Sequence, residues 1–99
     1  MKYRLASTDD VPADRGLLVE AGSKTVALFR YEGTFFAIDD TCPHKDGSLH
    51  EGSLVEGVVS CPWHQWQFDL RTGKCPTNPL SKIETYPVWI EGDDIFVEI

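Results

Sequence analysis

A chain of 99 residues is the size of one domain, and its 41% hydrophobic and 25% charged residues are those of an ordinary soluble globular protein. The formal net charge of −7 argues against a nucleic-acid partner; it suits a protein that meets a basic docking surface, and equally one whose acidity only keeps it soluble. No run approaches the roughly 18 apolar residues of a membrane span, and MKYRLASTDD has no apolar core for a secretory signal. A complete cytoplasmic protein, a single domain over residues 1–99, is therefore expected.

In chain order, Thr8-Asp9-Asp10-Val11 can start a single helical turn with Thr8 as cap, which Gly16 soon stops. A strand is expected over Gly16–Glu20. The next, Lys24–Tyr31, reads KTVALFRY, with Val26, Leu28 and Arg30 on one face and Ala27, Phe29 and Tyr31 on the other. Apolar groups on both faces are what a strand inside a small sandwich or barrel carries. Further strands are expected over Thr34–Ile38, Val58–Ser60, Gln67–Leu70, Ile83–Val88 and Ile95–Ile99. Gly22-Ser23, Glu32-Gly33, Thr72-Gly73 and Gly92-Asp93 are turn signals between them. The fold class is all-β and antiparallel.

Strand patterning fails from Asp39 to Ser53, a stretch rich in Asp, Gly, Ser, Pro and His that reads as a loop, and again just after Cys61. These two places hold two of the 3 cysteines and all 3 histidines. The first phrase is Cys42-Pro43-His44; the second is Cys61-Pro62-Trp63-His64, with residues 45 to 60 between them. An odd cysteine count without a signal sequence disfavours a disulfide framework, and paired Cys and His phrases then point to metal. Two thiolates and two imidazoles fit a structural zinc or a mixed-ligand two-iron, two-sulfur cluster. Zinc sites of this composition usually draw paired cysteines from one element and paired histidines from another. Here each phrase supplies one of each, which suits a binuclear cluster better.

C-x-H, sixteen residues, then C-x-x-H resembles the Rieske iron–sulfur signature. The resemblance extends through CPHKDGSLHEG, CPWHQWQFDLRTG and CPTNPL to the closing YPVWIEGDDIFVEI, which is similar to the last hairpin of small soluble Rieske ferredoxins. It implies a Rieske [2Fe-2S] domain: antiparallel sheets in a small sandwich or barrel with a two-loop cluster-binding tip. The cluster-binding loops would lie at about 40–53 and 61–66, and a shielding proline loop at about 75–80. It further implies one cluster per chain, with Cys42 and Cys61 on the inner iron and His44 and His64 on the outer one.

Two neutral imidazoles in place of two thiolates remove two negative charges, so an added electron is easier to accept. Such clusters span about −150 to +300 mV. High-potential members of the family carry an extra cysteine in each loop, and hydroxyl residues two and four positions after the second histidine. This chain has no spare cysteine in either loop, and Trp66 and Phe68 stand at those two positions. The low end of the range is expected.

The resemblance implies an electron carrier rather than an enzyme. It would take electrons from a flavin-containing NAD(P)H-dependent ferredoxin reductase and pass them to a terminal Rieske oxygenase of the aromatic-ring hydroxylating type, with no membrane or nucleic acid involved. A monomer is expected. The oxygenase reaction needs a second iron held by two histidines and a carboxylate; after His44 and His64 are used, only His50 is left. Two other readings remain open at this point: the small subunit of an NAD(P)H nitrite reductase, and a zinc-stabilised binding module.

The remaining residues divide as follows. His50 reads as a loop residue near the cluster and Cys75 as a packed thiol. Trp63, Trp66, Pro62, Pro76, Pro79 and Leu49 are candidates for an apolar collar. Core packing is favoured for Trp66, and docking and packing stand level for Trp63 and Leu49. Gly47, Gly52 and Gly57 suit tight turns. Asp39, Asp40, Asp46, Glu51 and Glu56 read as a solvated acidic face, with steering of a basic partner as the alternative.

Overall fold

The structure, a computed structural model, describes residues 1–13, 15–41, 48–61, 66–76 and 78–99, with residues 78–81 as backbone. The strands in chain order are β1 (Lys2–Ser7), β2 (Leu17–Ala21), β3 (Lys24–Tyr31), β4 (Thr34–Asp39), β5 (Ser53–Val55) and β6 (Val58–Ser60). They continue as β7 (Gln67–Asp69), β8 (Lys74–Cys75), β9 (Asn78–Lys82), β10 (Thr85–Tyr86), β11 (Val88–Glu91) and β12 (Asp94–Glu98). Among the described residues all pairings are antiparallel. Among the described residues the only helical pieces are 3-10 turns at Thr8–Asp10 and Leu49–Glu51, and no helix is long and apolar enough to cross a membrane.

The central layer is a four-stranded sheet in the order β10-β4-β3-β2. Its long middle strands alternate two apolar sets, so the sheet is buried on both sides. Ala27 and Phe29 of β3 and Ile38 of β4 enter one core, with Leu49, Val59, Cys61, Phe68, Leu70, Cys75 and Ile83. Val26 and Leu28 of β3 and Ala37 of β4 enter a second core, with Leu5, Val11, Ile95 and Val97. The second core is closed by the sheet β1-β12-β11, and the first by the small sheet β5-β6-β7. Both faces of KTVALFRY are therefore used as its pattern requires. β3 and β4 join through Glu32 and Gly33, whose φ values of 50° and 75° give the doubly left-handed turn that matches strand twist.

The departures from the sequence expectation include β8 and β9, which pair where a proline loop was expected at about 75–80. β1 was not anticipated, because its pairing with β12 slips between Arg4 and Ala6. Leu5 and Ala6 are consecutive and both buried, which breaks the alternation that marks a half-buried strand. The expected strand Ile83–Val88 is two strands in two sheets: β10 pairs with β4 and β11 with β12. Pro87 stands at the change of sheet, where it has no N–H to give a ladder; its carbonyl still accepts from Glu98 N–H at 3.1 Å. The loop expected from Asp39 to Ser53 gives way to β5 at its end, and it contains the Leu49–Glu51 turn. The first helical turn is capped one residue earlier than expected: the Ser7 N–H donates to Asp10 Oδ2 at 3.1 Å.

Candidate metal centre

Three of the four sequence-predicted ligands, Cys42, His44 and His64, lie outside the described residues, as do Pro43, Asp46, Gly47, Pro62 and Trp63. The fourth, Cys61, is 1% exposed and follows directly on β6. What the structure describes is the frame on which the two ligand-bearing segments hang.

Each segment leaves that frame and returns to it at paired backbone. Residues 42–47 are bracketed by Thr41 and Ser48, which form an antiparallel bridge. Residues 62–65 are bracketed by Cys61 and Trp66, and the Cys61 N–H donates to the Trp66 carbonyl at 2.6 Å. The two bases are also tied to each other. Leu49, just after the first bracket, is fully buried in the same core as Cys61. Gly52 N–H donates to Leu49 O at 3.0 Å, turning the chain against β6. A Cβ on Gly52 would fall far inside the contact distance of the carbonyl oxygen of Ser60, the residue before Cys61. Only glycine permits that approach.

Behind the first bracket sits Asp40, the one buried charged side chain among the described residues, at 4% exposure. Its Oδ1 accepts the His50 backbone N–H at 2.8 Å and lies 2.8 Å from His50 Nδ1. Its carbonyl accepts from Leu49 N–H at 2.7 Å, and its own N–H donates to Thr25 O at 3.0 Å. Asp40 thus does not belong to the solvated acidic face expected for it. Burial removed it from water, and the 48–50 backbone replaced the water. Glu51 and Glu56 are exposed and Asp39 is half-buried.

The apolar collar is corrected as well. Leu49 is core, so the packing reading holds there; Trp66 is partly buried against the same core. Pro76 is exposed, and the Pro79 side chain lies outside the described residues. Cys75 is buried at 2% in the core that holds Cys61. Gly57, with φ 79°, follows Glu56 at φ 51° in the β5–β6 turn, which the sequence reading did not single out as a hairpin. The Asp40–His50 contact was also missed, since a carboxylate ten residues from a histidine in a polar loop leaves no periodic signal.

The donor set and the frame fit a binuclear cluster: the brackets of both Cys/His phrases, Thr41–Ser48 and Cys61–Trp66, adjoin one buried core that holds the Cys61 side chain. A family model for the Rieske [2Fe-2S] domain matches residues 1–87. The chain belongs to the Rieske [2Fe-2S] family, among its ferredoxins. The cofactor of this Rieske ferredoxin is a [2Fe-2S] cluster. Among similar proteins is the biphenyl dioxygenase ferredoxin subunit of Pseudomonas sp. (strain KKS102), 39% identical over 97 residues, 96% of this chain and 89% of that one. The 3-phenylpropionate/cinnamic acid dioxygenase ferredoxin subunit of Shigella flexneri serotype 5b (strain 8401) is 43% identical over 95 residues, 91% of this chain and 86% of that one. A chain from the complex of reduced oxygenase and oxidized ferredoxin in carbazole 1,9a-dioxygenase superimposes with a TM-score of 0.87 at 26% identity, covering 97% of this chain and 91% of that one.

Proposed function

We propose that the thiolates of Cys42 and Cys61 hold one iron of the cluster and the imidazoles of His44 and His64 hold the other, and that this single-domain Rieske ferredoxin carries one electron at a time from a flavoprotein NAD(P)H-dependent reductase to a terminal oxygenase that hydroxylates aromatic rings. When bound, the cluster supplies a one-electron store. The protein's own residues supply everything else. Cys61 brings its donor from a fully packed core, so the inner end is dry. The bracketed segments 42–47 and 62–65 carry the remaining donors. Trp66 and Phe68, without hydroxyls to donate toward the sulfurs, leave the potential at the low end of the family range.

The observation that carries this reading is the pair of bracketed segments, each with its Cys-Pro-(x)-His phrase, joined through Leu49, Gly52 and Ser60 beside Cys61. The two relatives near 40% identity, both dioxygenase ferredoxin subunits, favour the shuttle over a nitrite-reductase subunit. Reconstitution tests it. The iron-loaded protein is mixed with candidate reductases and ring-hydroxylating oxygenases, and NADH-driven product formation is followed. Turnover with at least one such pair is expected. No turnover with any pair, together with co-purification on a nitrite reductase, contradicts the shuttle. A colourless protein with stoichiometric zinc contradicts the cluster.

A further inference from the structure

We propose that Asp40 and His50 form a clasp that positions the first ligand-bearing segment relative to the second, an inference that rests on the cluster reading above. His50 is the histidine left over from the ligand set, and Asp40 stands two residues before Cys42. Neither is needed as a ligand, yet they meet through a doubly used carboxylate oxygen. One carboxylate oxygen meets both the backbone N–H and the Nδ1 of His50 at 2.8 Å. The imidazole side chain is 19% exposed, so it covers a carboxylate that is itself only 5% exposed.

The geometry reaches further than the pair. From Asp40 the backbone bonds run to Leu49 and to Thr25 of β3. From His50 the carbonyl accepts the Gly16 N–H at 3.2 Å, and a Cβ on Gly16 would come within 2.8 Å of both the His50 Cα and the Phe29 ring. The turn that carries His50 ends at Gly52, jammed against Ser60 and hence against the start of the second segment. A displacement of His50 is therefore transmitted to both brackets. Opening the clasp would leave a buried carboxylate short of a partner, which is costly, so the pair holds one arrangement. Asp40 and His50 flank residues 42–47 in the chain, so the pair fixes where that segment starts and ends without touching a metal.

In the cleft beside it, Pro12, Arg15, Leu17, Leu18 and Glu51 flank His50, and Glu51 Oε1 is 3.9 Å from Nε2. The closer contact at Nδ1 fixes the ring.

The test compares wild type, His50→Ala and His50→Asn as cluster-loaded proteins. Three quantities are read: the half-life of the visible spectrum in air, the midpoint potential and the g values of the reduced state. Asparagine places an amide nitrogen where Nδ1 stands and can donate to the same carboxylate oxygen. His50→Ala is expected to shorten the half-life by about tenfold, the lower end of the effect of such partners, and to shift the g values and potential. His50→Asn is expected to restore most of the half-life and the wild-type g values. His50→Ala with all three quantities unchanged overturns the clasp, as does His50→Asn no better than alanine. A wild-type protein with no reduced-state signal overturns the cluster reading, and the clasp with it.

Discussion

The two sides of the central sheet are held together in different ways. On the side of β1, β11 and β12, strands of four to six residues pair along their length, and the exposed face adds side-chain contacts. Lys2 Nζ sits 4.3 Å from the Phe96 ring centroid, and Glu91 Oε2 takes both Lys2 Nζ at 2.9 Å and Trp89 Nε1 at 2.7 Å. On the other side, β5, β6 and β7 have three residues each. So few ladder bonds cannot fix two loops. The work passes to Phe68 and Leu49 in the core, to a glycine pressed against a carbonyl, and to a buried carboxylate. The side that carries the two Cys/His phrases is thus held by a few specific contacts, whereas the opposite side is held by many replaceable ones.

Substitutions that separate the two sides sharpen this comparison. Phe68→Ala empties the centre of the loop-bearing core and is expected to cost about 3–5 kcal/mol in chemical denaturation, a large part of the stability of a small domain. Gly52→Ala drives a Cβ into Ser60 O and is expected to cost about 1–3 kcal/mol, with a weakened visible spectrum because the strain falls beside Cys61. An unchanged spectrum would detach Gly52 from the site.

Tyr86→Phe, in β10, is expected to be neutral or to stabilise by up to about 1 kcal/mol, since the Tyr86 hydroxyl is buried and finds no partner among the described residues. Burial, followed by the charges of Asp39 and Glu84, also pushes the Tyr86 phenol above its ordinary value. The folded state thus holds that proton more tightly than the unfolded chain. The stability it contributes is fully present below pH of about 10 and is lost as pH rises through the raised value. Tyr86→Phe should remove that alkaline component.

The smallest effect belongs to the surface of the other side. The hydrogen bond from Lys2, then that from Trp89, hold Glu91 below its usual range. Its contribution is present above the ordinary carboxylate value and lost as pH falls through the lowered one. Glu91→Gln should flatten a slight acid dependence and leave the visible spectrum untouched.

How far the sequence foretold these two sides follows from the physics of each. β3 was legible because a doubly buried strand has apolar residues on both faces, and its turn partner Glu32-Gly33 marks the hairpin. The family was legible because Cys and His at such spacing have few uses. Periodicity could not show β1, where a bulge puts Leu5 and Ala6 on one side, or the sheet change at Pro87. Asp40 looked like one more acid in a polar loop; only the fold reveals that Leu49 and His50 close over it. Leu49, taken equally as collar or core, is decided by the same closure.

In the proposed centre one chain holds two irons in unlike surroundings, sulfur at one and nitrogen at the other. Pulsed paramagnetic resonance of the anaerobically reduced, iron- and sulfide-loaded protein tests it most directly. Couplings from two histidine nitrogens are expected, with one of them lost in His64→Cys. A reduced cluster with no nitrogen coupling, or no paramagnetic signal and a full complement of zinc, would contradict it.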